Sequence, residues 1–418
     1  MYNFIMHAVQ TGVRIAALFD GKVRKMWHGE QAALDVLRKQ VDPQAHYIWF
    51  HAASLGEFEQ GRPLMEAIRQ RFPEYKILLT FFSPSGYEVR KDYKGADIVT
   101  YLPIDTVGNA RRFLRTVKPV MAFFIKYEFW YNYLHIMRHR NVPTYSVSSI
   151  FRPEQIFFRF YGRQYGRVLR CFTRFFVQNE ESKRLLGGIG INDVDVVGDT
   201  RFDRVLQVRD ARKRLPIVES FAGNSQRVFV AGSSWLPDEE IFLHYLNAHK
   251  DWKIIIAPHV IKEEHLTQIE SLLKGRKVVR YTQATEESAA EAEVLIIDCF
   301  GLLSSVYHYG HVAYVGGGFG VGIHNVLEAA VWGMPVIFGP NNKHFQEAQG
   351  LMQAGGGFEI ADQAGFDHLM ERLAGDPRLL QKSADKAAAF VERLTGATQK
   401  VLDTIAPLLS KQQKAHQS

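Results

Sequence analysis

Short apolar segments alternate with helical patterns along most of this chain, and no other feature restricts its fold as strongly. The strand candidates form two sets of similar size: residues 47–53, 77–82, 98–102, 120–125, 144–147 and 174–178, then 228–231, 254–257, 277–280, 294–298, 313–315 and 335–338. Strands that alternate with helices form parallel sheets with helices on both faces. The sequence therefore predicts an α/β protein with two doubly wound, Rossmann-like domains.

The domain boundaries follow from the gap between the two sets of strands. A chain of 418 residues can bury two separate cores. We expect an N-terminal domain at residues 1–207, a polar linker at 208–226, a second domain at 227–395, and a C-terminal helix and tail at 396–418. Two such domains would face each other across a cleft lined by the carboxyl ends of their strands.

The charge of the chain favours anionic partners. The formal net charge is +7, which suits nucleic acid, acidic lipid headgroups or phosphorylated substrates. Four arginines recur at helical spacing beside aromatic residues: Arg159, Arg163, Arg167 and Arg170. This cationic stripe fits either a solvated helix face or a surface that receives phosphates and lipid headgroups. Because the chain contains no recognisable nucleic-acid module, we expect no nucleic-acid partner.

The N-terminal segment, residues 1–25, has the character of a membrane-associating helix. Residues 2–19 are apolar but interrupted by polar groups such as Arg14, so they fall short of the roughly 18 uncharged residues of a spanning helix. Three cations follow directly: Lys22, Arg24 and Lys25. A helix that lies in a membrane interface fits this pattern, and a first helix packed on the domain fits it equally well.

Residues 312–340 read as a strand, a glycine-rich turn, a short helix opened by Asn325 and a second strand. The turn contains glycines that let a ligand approach the backbone closely: Gly316, Gly317, Gly318, Gly320 and Gly322. The start of a helix suits a phosphate, and Glu328 in its first turn could bind a sugar hydroxyl. Asn-x-x-Glu is also a capping pattern that satisfies only the helix itself. The segment alone leaves both interpretations open.

An acidic residue follows each of two strands in the first half of the chain. Glu57 lies at a helix start within Ser54-x-x-Glu57, which is a capping box by its pattern. The carboxyl ends of parallel strands also form the functional rim of such sheets, where an ionised carboxylate can accept a proton from an attacking hydroxyl. Glu128 follows the strand at 120–125 and is either functional or simply paired with Lys126.

Other polar segments give weaker signals. The hydroxyl-rich loop Thr80-Phe-Phe-Ser-Pro-Ser-Gly86 suits polar substrate contacts or capping. Asp193-Val-Asp195 resembles a metal-binding pattern, but it precedes a short apolar run instead of following a strand. His308 and His311 lack a third ligand at a suitable spacing, so we expect no metal and no cofactor.

Taken together, these segments resemble the 3-deoxy-D-manno-oct-2-ulosonic acid (Kdo) transferases of lipopolysaccharide synthesis. The matching segments run in order over nearly the whole chain: His51-Ala-Ala-Ser-Leu-Gly-Glu-Phe58, 80–86, Tyr101-Leu-Pro-Ile-Asp105, Glu128-Phe-Trp130, Gly198-Asp-Thr-Arg-Phe-Asp203, Gly232-Ser-Ser-Trp235, Ala257-Pro258, His324-Asn-Val-Leu-Glu328 and Gly339-Pro340. The resemblance implies the GT-B glycosyltransferase fold, with two Rossmann-like domains facing a cleft. It also implies CMP-Kdo as donor, a lipid A precursor (lipid IVA) as acceptor, and a place on the anionic cytoplasmic surface of the inner membrane.

The resemblance further implies roles for individual residues. Glu57 looks like the general base, and Glu128 looks like a second essential acid near the acceptor or Kdo. Donor contacts are implied for Arg201, Ser233, Pro258, His259, Gly317, Gly318, Asn325 and Glu328. Acceptor contacts are implied for Ser54, Gly56, Ser83, Ser85 and Gly86. Arg201 takes the place of a family lysine, and His259 stands where the family commonly has an arginine, so His259 or another cation must serve instead.

These roles predict transfer of Kdo by a single displacement with inversion and without a metal. The nearest alternative is another GT-B enzyme that acts on a UDP-sugar, such as an N-acetylglucosaminyltransferase or a 2-epimerase. A catalytically silent, basic membrane-surface protein that keeps the fold is an alternative from a different class.

Overall fold

The computed structural model describes residues 2–273 and 275–417, with the backbone alone for residues 161, 163, 164 and 412–417. The described residues form two compact units. The first is Met1–Arg204 together with Thr395–Ser418, and the second is Val205–Leu394. The last segment of the chain thus belongs to the first unit.

The first unit contains one sheet covered by helices. Its described strands are β1 (Tyr47–Ala52), β2 (Lys76–Phe81), β3 (Ile98–Tyr101), β4 (Met121–Ile125), β5 (Thr144–Ser149), β6 (Arg174–Val177) and β7 (Val194–Val196). Its helices are α1 (Tyr2–Ala16), α2 (Gly21–Gln40), α3 (Leu55–Arg71), α4 (Pro84–Arg90), α5 (Val107–Val117), α6 (Tyr131–His139), α7 (Arg163–Gly166), α8 (Glu180–Gly188), the start of α9 (Thr200–Asp210) and the C-terminal α19 (Ala397–Gln417). All strand pairs are parallel, in the order β3-β2-β1-β4-β5-β6-β7.

The second unit repeats this architecture. The strands described in it are β8 (Val228–Ser234), β9 (Lys253–Pro258), β10 (Val278–Arg280), β11 (Val294–Ile296), β12 (Val312–Val315), β13 (Val336–Phe338) and β14 (Gly357–Glu359). The helices are α10 (Pro216–Ala222), α11 (Leu236–Ala248), α12 (Glu263–Leu272), α13 (Glu286–Glu291), α14 (Leu303–Val306), α15 (Leu327–Ala330), α16 (Gln346–Ala354), α17 (Gln363–Gly375) and α18 (Pro377–Arg393). These strands also pair in parallel, in the order β10-β11-β9-β8-β12-β13-β14.

The central strands of the first sheet are buried on both faces. In β1, Trp49 packs into the cluster on one face, whereas Ile48 and Phe50 pack into the cluster on the other. Neighbouring side chains of a strand point to opposite faces, so one apolar run contributes to two cores. The five residues of β4 are likewise apolar and buried. Polar chemistry is therefore concentrated at the carboxyl ends of these strands and in the loops that follow them.

The C-terminal helix completes the core of the first unit. α19 packs against α3 and buries Val401 and Ile405 in the same cluster as Ile48 and Phe50. The Tyr75 hydroxyl donates to the carbonyl oxygen of Leu409 at 2.9 Å. The first unit is consequently built from two separate stretches of the chain.

The strands that the sequence did not predict, β7 and β14, are the outermost strands on one side of each sheet. Each has three residues, and neither is fully buried. An edge strand has one free side and tolerates polar residues, so it lacks the continuous apolar run of a central strand.

The cationic stripe does not lie on one helix. Its segment consists of short 3₁₀ turns, Ile156–Phe158, Phe160–Gly162 and Arg167–Cys171, around the single turn of α7. Gly162 packs so closely on the carbonyl group of Ile156 that a Cβ would collide with it. The prediction of a continuous helical face is therefore wrong. The Arg163 side chain lies outside the described atoms.

The stretch predicted as a linker contains α10, which packs against α13.

Candidate active site

Both sheets reverse their strand order at one point, between β1 and β4 in the first and between β8 and β12 in the second. The loops after such strands run in opposite directions and leave a crevice at the carboxyl edge, where α/β proteins bind ligands. Glu57 follows β1 and Glu128 follows β4. In the second unit, Ser233 lies at the carboxyl end of β8, and the glycine-rich segment follows β12. The topology thus gathers predicted site residues at one crevice in each unit.

Glu57 is tied to the turn that precedes its helix, and its pKa is raised. The Ser54 hydroxyl accepts the N–H of Glu57 at 3.5 Å, and Glu57 Oε2 accepts the N–H of Ala53 at 2.6 Å. Burial raises the pKa of Glu57 to about 7, the charge of Glu128 adds to this rise, and the Ala53 N–H and Lys126 oppose it. A carboxyl group with a pKa near neutrality can take up a proton at physiological pH.

Glu128 is held by two ring nitrogens. Its Oε2 accepts the indole N–H of Trp130 at 2.7 Å and lies 3.1 Å from Nε2 of His51. His51 is fully buried, and its Nδ1 is 2.9 Å from the hydroxyl of Thr80 on the neighbouring strand. The sequence alone assigned no role to His51 or Trp130, although both lie in segments that carry the resemblance. Their ring nitrogens hold the Glu128 carboxylate in place.

The predicted acceptor residues share the edge of the first sheet with Glu57. The N–H of Ser83 donates to the carbonyl oxygen of Ala53 at 2.8 Å, and the Ser83 hydroxyl caps α4 by accepting the N–H of Ser85. A Cβ on Gly86 would overlap the Phe81 ring and press on the backbone of Ser54. Glycine at position 86 therefore allows the loops after β1 and β2 to pack together. Gly56 is exposed, with open space around it.

Asp238 organises the loops of the second unit. Its Oδ2 accepts the N–H groups of Gly317 at 2.9 Å and Trp235 at 3.0 Å, and its Oδ1 accepts the Tyr314 hydroxyl at 2.8 Å. The carboxylate is almost fully buried. Ser233 has a φ of 53°, and a Cβ on Gly316 would collide with its carbonyl oxygen. Asp238 was not predicted, because two of its three partners, Tyr314 and Gly317, are distant in sequence.

Several loop glycines serve the packing of the protein itself. A Cβ on Gly317 would collide with the carbonyl oxygen of Gly322, and one on Gly318 would collide with the backbone of Gly339. Gly317 also adopts a φ of 93°, which favours glycine. Open space, as expected for ligand approach, surrounds Gly320. The expectation that every one of these glycines makes room for a ligand is therefore too broad.

The helix after the glycine-rich loop starts at a different residue from the one predicted. α15 begins at Leu327, not at Asn325, and it makes a single turn. Asn325 Oδ1 accepts the N–H of Leu327 at 3.1 Å, and its Nδ2 donates to Glu328 Oε1 at 3.0 Å. The hydroxyl of Ser304 donates to Glu328 Oε2 at 2.8 Å. Asn325 thus caps the turn, and one turn lacks the dipole of a long helix.

Three rings stack beside this loop. The Trp235 and His259 ring centroids are 4.7 Å apart, and those of His259 and His324 are 4.3 Å apart. Burial lowers the pKa of His324 to about 4, and burial also lowers the pKa of His259. The lowered pKa of His259 favours its neutral form, so His259 is a weaker cation than an arginine would be at this position. Pro258 ends β9 directly before His259.

Arg201, the predicted donor-binding cation, lies in the first unit. Its Nε donates to Asp199 Oδ2 at 2.8 Å. Asp199 also accepts the amide of Gln60 at 3.1 Å from α3. The guanidinium group is thus held near the start of α9 by a buried carboxylate.

Metal and membrane features complete the description. Among residues 2–273 and 275–417, no group of three or more histidine, cysteine, aspartate or glutamate side chains is arranged to hold a metal ion. None of the described helices combines the length and apolar character needed to cross a bilayer.

Comparisons with known proteins agree with this architecture. Residues 28–204 match the family described as 3-Deoxy-D-manno-octulosonic-acid transferase (kdotransferase). The chain is 28% identical over 383 residues to the 3-deoxy-D-manno-octulosonic acid transferase of Bordetella pertussis, covering 87% of each protein. Among solved structures, the UDP-GlcNAc 2-epimerase of Neisseria meningitidis gives a TM-score of 0.63 at 15% identity, over 86% of this chain and 100% of that one. MurG of Acinetobacter baumannii gives a TM-score of 0.54 at 12% identity, over 87% of this chain and 99% of that one.

Two parallel α/β units, each with polar residues at its switch point, give this chain the GT-B fold that it shares with the epimerase and MurG. Within that fold class, residues 28–204 match the Kdo transferase family, and curated Kdo transferases are similar to the chain over most of its length.

Proposed function

We propose that this protein transfers Kdo from CMP-Kdo to a lipid A precursor, lipid IVA, in an inverting reaction of lipopolysaccharide synthesis. The names of its relatives support the sugar, since curated proteins similar over most of the chain are Kdo transferases. One observation carries the mechanism: the pKa of Glu57 is raised to about 7 beside Glu128, at the carboxyl edge of the first sheet. A single displacement needs a base of this kind.

In the proposed reaction, the Glu57 carboxylate removes the proton of a glucosamine hydroxyl of the acceptor. The acceptor oxygen attacks the anomeric carbon of Kdo as the bond from that carbon to the phosphate oxygen breaks. CMP leaves with the electron pair, the proton stays on Glu57, and the configuration at the anomeric carbon is inverted. Glu128 keeps the pKa of Glu57 high enough for efficient proton uptake.

The second unit binds the donor in this proposal. The stacked rings of Trp235, His259 and His324 offer a flat, neutral surface on which the cytosine base can lie. Glu328, oriented by Asn325 and Ser304, accepts ribose hydroxyls. The remaining proposed donor contacts are Ser233, Pro258, Gly317 and Gly318.

The leaving phosphate is neutralised by a cationic side chain, for which Arg201 is our candidate. Its ion pair with Asp199 holds the guanidinium group in place before substrate binds. The proposal includes no metal and no cofactor, because CMP-Kdo carries a single bridging phosphate.

The first unit binds the acceptor and the membrane surface. Acceptor contacts are proposed for Ser54, Gly56, Ser83, Ser85 and Gly86. Phe4 and Phe19 are 80% and 85% exposed, and cations of residues 1–25 accompany them. We propose that this face lies on the anionic cytoplasmic surface of the inner membrane, where the acyl chains of the acceptor are embedded.

Incubation of the purified protein with CMP-Kdo and tetraacyl lipid A precursor, followed by mass spectrometry, tests the function. The expected product is heavier by one or more Kdo units, and the mass counts them. In a parallel reaction, UDP-N-acetylglucosamine replaces CMP-Kdo as the donor. Epimerisation or transfer of its sugar, without any Kdo transfer, would refute the proposal in favour of a UDP-sugar enzyme.

Binding to vesicles tests the membrane proposal separately. The protein should float with vesicles that contain phosphatidylglycerol and not with neutral ones. A variant with Phe4→Ser and Phe19→Ser should lose this binding. Equal binding of the parent and this variant would contradict the proposed surface.

A further inference from the structure

Asp105 ends the segment that follows β3, and its side chain is fully buried. Its Oδ2 accepts the Tyr2 hydroxyl at 2.7 Å and the N–H of Asn132 at 3.0 Å. Its Oδ1 accepts the N–H of Tyr133 at 3.3 Å, and its carbonyl oxygen accepts the Asn132 amide at 2.7 Å. One buried carboxylate thus joins α1 and the start of α6 to the segment after β3.

The start of α6 depends on this remote carboxylate. Trp130 occupies the N-cap position, but its side chain makes no capping bond. Its indole N–H donates instead to Glu128 at 2.7 Å. The first N–H groups of a helix need partners from outside the helix, and here Asp105 provides them for Asn132 and Tyr133.

We infer that Asp105 is a positioning residue for Glu128, and that Tyr2 of α1 supports it. By capping α6, Asp105 fixes where the helix begins. This fixes the position of Trp130, whose indole N–H holds Glu128. Tyr2 also places its ring 4.9 Å from that of Tyr131. The N-terminal helix is thereby connected by hydrogen bonds to the acidic pair. The inference rests on the proposed function, in which Glu128 assists Glu57.

The pH dependence of activity separates positioning from simple stabilisation. Glu57 is faced by Glu128, Lys126 and Tyr127. Glu128 raises the pKa of Glu57, and Lys126 lowers it. If Glu128 moves away, the pKa of Glu57 falls, and the acid limb of the activity profile moves to lower pH. A role limited to stability would leave the acid limb in place.

Asp105→Asn and Tyr2→Phe test the inference, with Thr106→Ala as the matched control. The amide introduced by D105N would direct its own N–H groups toward N–H donors, whereas Y2F keeps the aromatic ring and loses only the hydroxyl. Thr106 is the next residue, and its hydroxyl caps α5 through the N–H of Asn109 at 3.2 Å. Its loss therefore removes a neighbouring cap without touching α6.

We expect D105N to lower kcat about tenfold, because small misplacements of catalytic groups are costly. Its KM for CMP-Kdo should stay unchanged, and its acid limb should move about half a pH unit lower. The acid limb of Y2F should move in the same direction by a smaller amount, and T106A should keep the pH profile of the parent. Infrared difference spectra between each protein and its E57Q form report the titration of Glu57 without turnover.

The inference is overturned if folded D105N and Y2F keep the acid limb and the Glu57 titration of the parent. If D105N does not fold, Y2F decides by the same readouts. If the parent protein does not transfer Kdo, the proposed function fails, and the infrared titration still decides whether Asp105 positions Glu128.

Discussion

Glu128 raises the pKa of Glu57, although the two residues follow different strands of the first sheet. β1 and β4 are neighbours at the point where the strand order reverses, so their loops bring the two carboxyl groups into one crevice. Glu57 is tied to its own helix start, while Glu128 is held by Trp130 and His51. Two acids with different partners can perform different tasks.

Glu57→Gln removes the proposed base and should reduce Kdo transfer by about 10²–10⁴-fold. The amide keeps the size of the side chain, so CMP binding in the second unit should be unaffected. Steady-state kinetics and calorimetry with CMP measure the two effects. Glu74→Gln, on an exposed loop, is the control and should keep full activity. Unchanged transfer by E57Q would rule out this base.

Glu128→Gln should move the acid limb of the pH profile to lower pH. Glu57 acts as a base only when ionised, so parent activity should rise as pH increases through about 7. Removing the negative charge of Glu128 makes ionisation of Glu57 easier and should shift this limb down by about one pH unit. The dependence of kcat/KM on pH measures the shift. A limb that stays in place would mean that Glu128 does not act on Glu57.

Asp238→Asn should destabilise the second unit and weaken its binding of CMP. The amide cannot accept all of the donors that reach Asp238, which leaves buried N–H groups unpaired at a cost of about 2 kcal/mol. Urea unfolding and calorimetry with CMP measure the two effects. Tyr314→Phe removes one donor and is the milder comparison. Normal stability of D238N together with normal CMP binding would contradict the role of this carboxylate.

Glu30→Met should stabilise the protein at alkaline pH. Glu30 on α2 is 3% exposed, and within the described residues neither carboxylate oxygen has a hydrogen-bond partner. Burial raises its pKa to about 8. Because this folded-state pKa exceeds the unfolded value, stability is fully present below the unfolded pKa and is lost as pH rises toward 8.

Methionine keeps the shape of Glu30 and removes the titrating group. The gain in unfolding free energy should be about 3 kcal/mol at pH 8 and much smaller at pH 5. Urea unfolding at both pH values measures it. An equal gain at pH 5 and pH 8 would mean that the Glu30 carboxyl does not titrate in this range.

The sequence was sufficient for features that depend on local pattern. Central strands such as β1 and β4 are apolar, apart from His51 in β1, because both faces are buried, so their positions could be read directly. Glu57 and Glu128 could then be placed at strand ends. The short edge strands β7 and β14 lack that pattern and were missed.

Contacts between distant segments could not be predicted. The Trp235, His259 and His324 stack joins three loops, and partial burial there lowers the pKa of His259. Likewise, the Asp105–Tyr2 hydrogen bond joins segments with no shared pattern. Such contacts depend on the packing of the finished fold, which periodicity and spacing do not encode.

The return of α19 to the first unit has a consequence for how the protein is made. The apolar cluster against α3 remains incomplete until α19 has left the ribosome. During synthesis that face stays exposed, which invites aggregation or chaperone binding. A chain cut short before Ala397 would keep every proposed catalytic residue and still yield little folded protein. Substitutions in α19 would therefore change cellular abundance while leaving the chemistry of each surviving molecule intact.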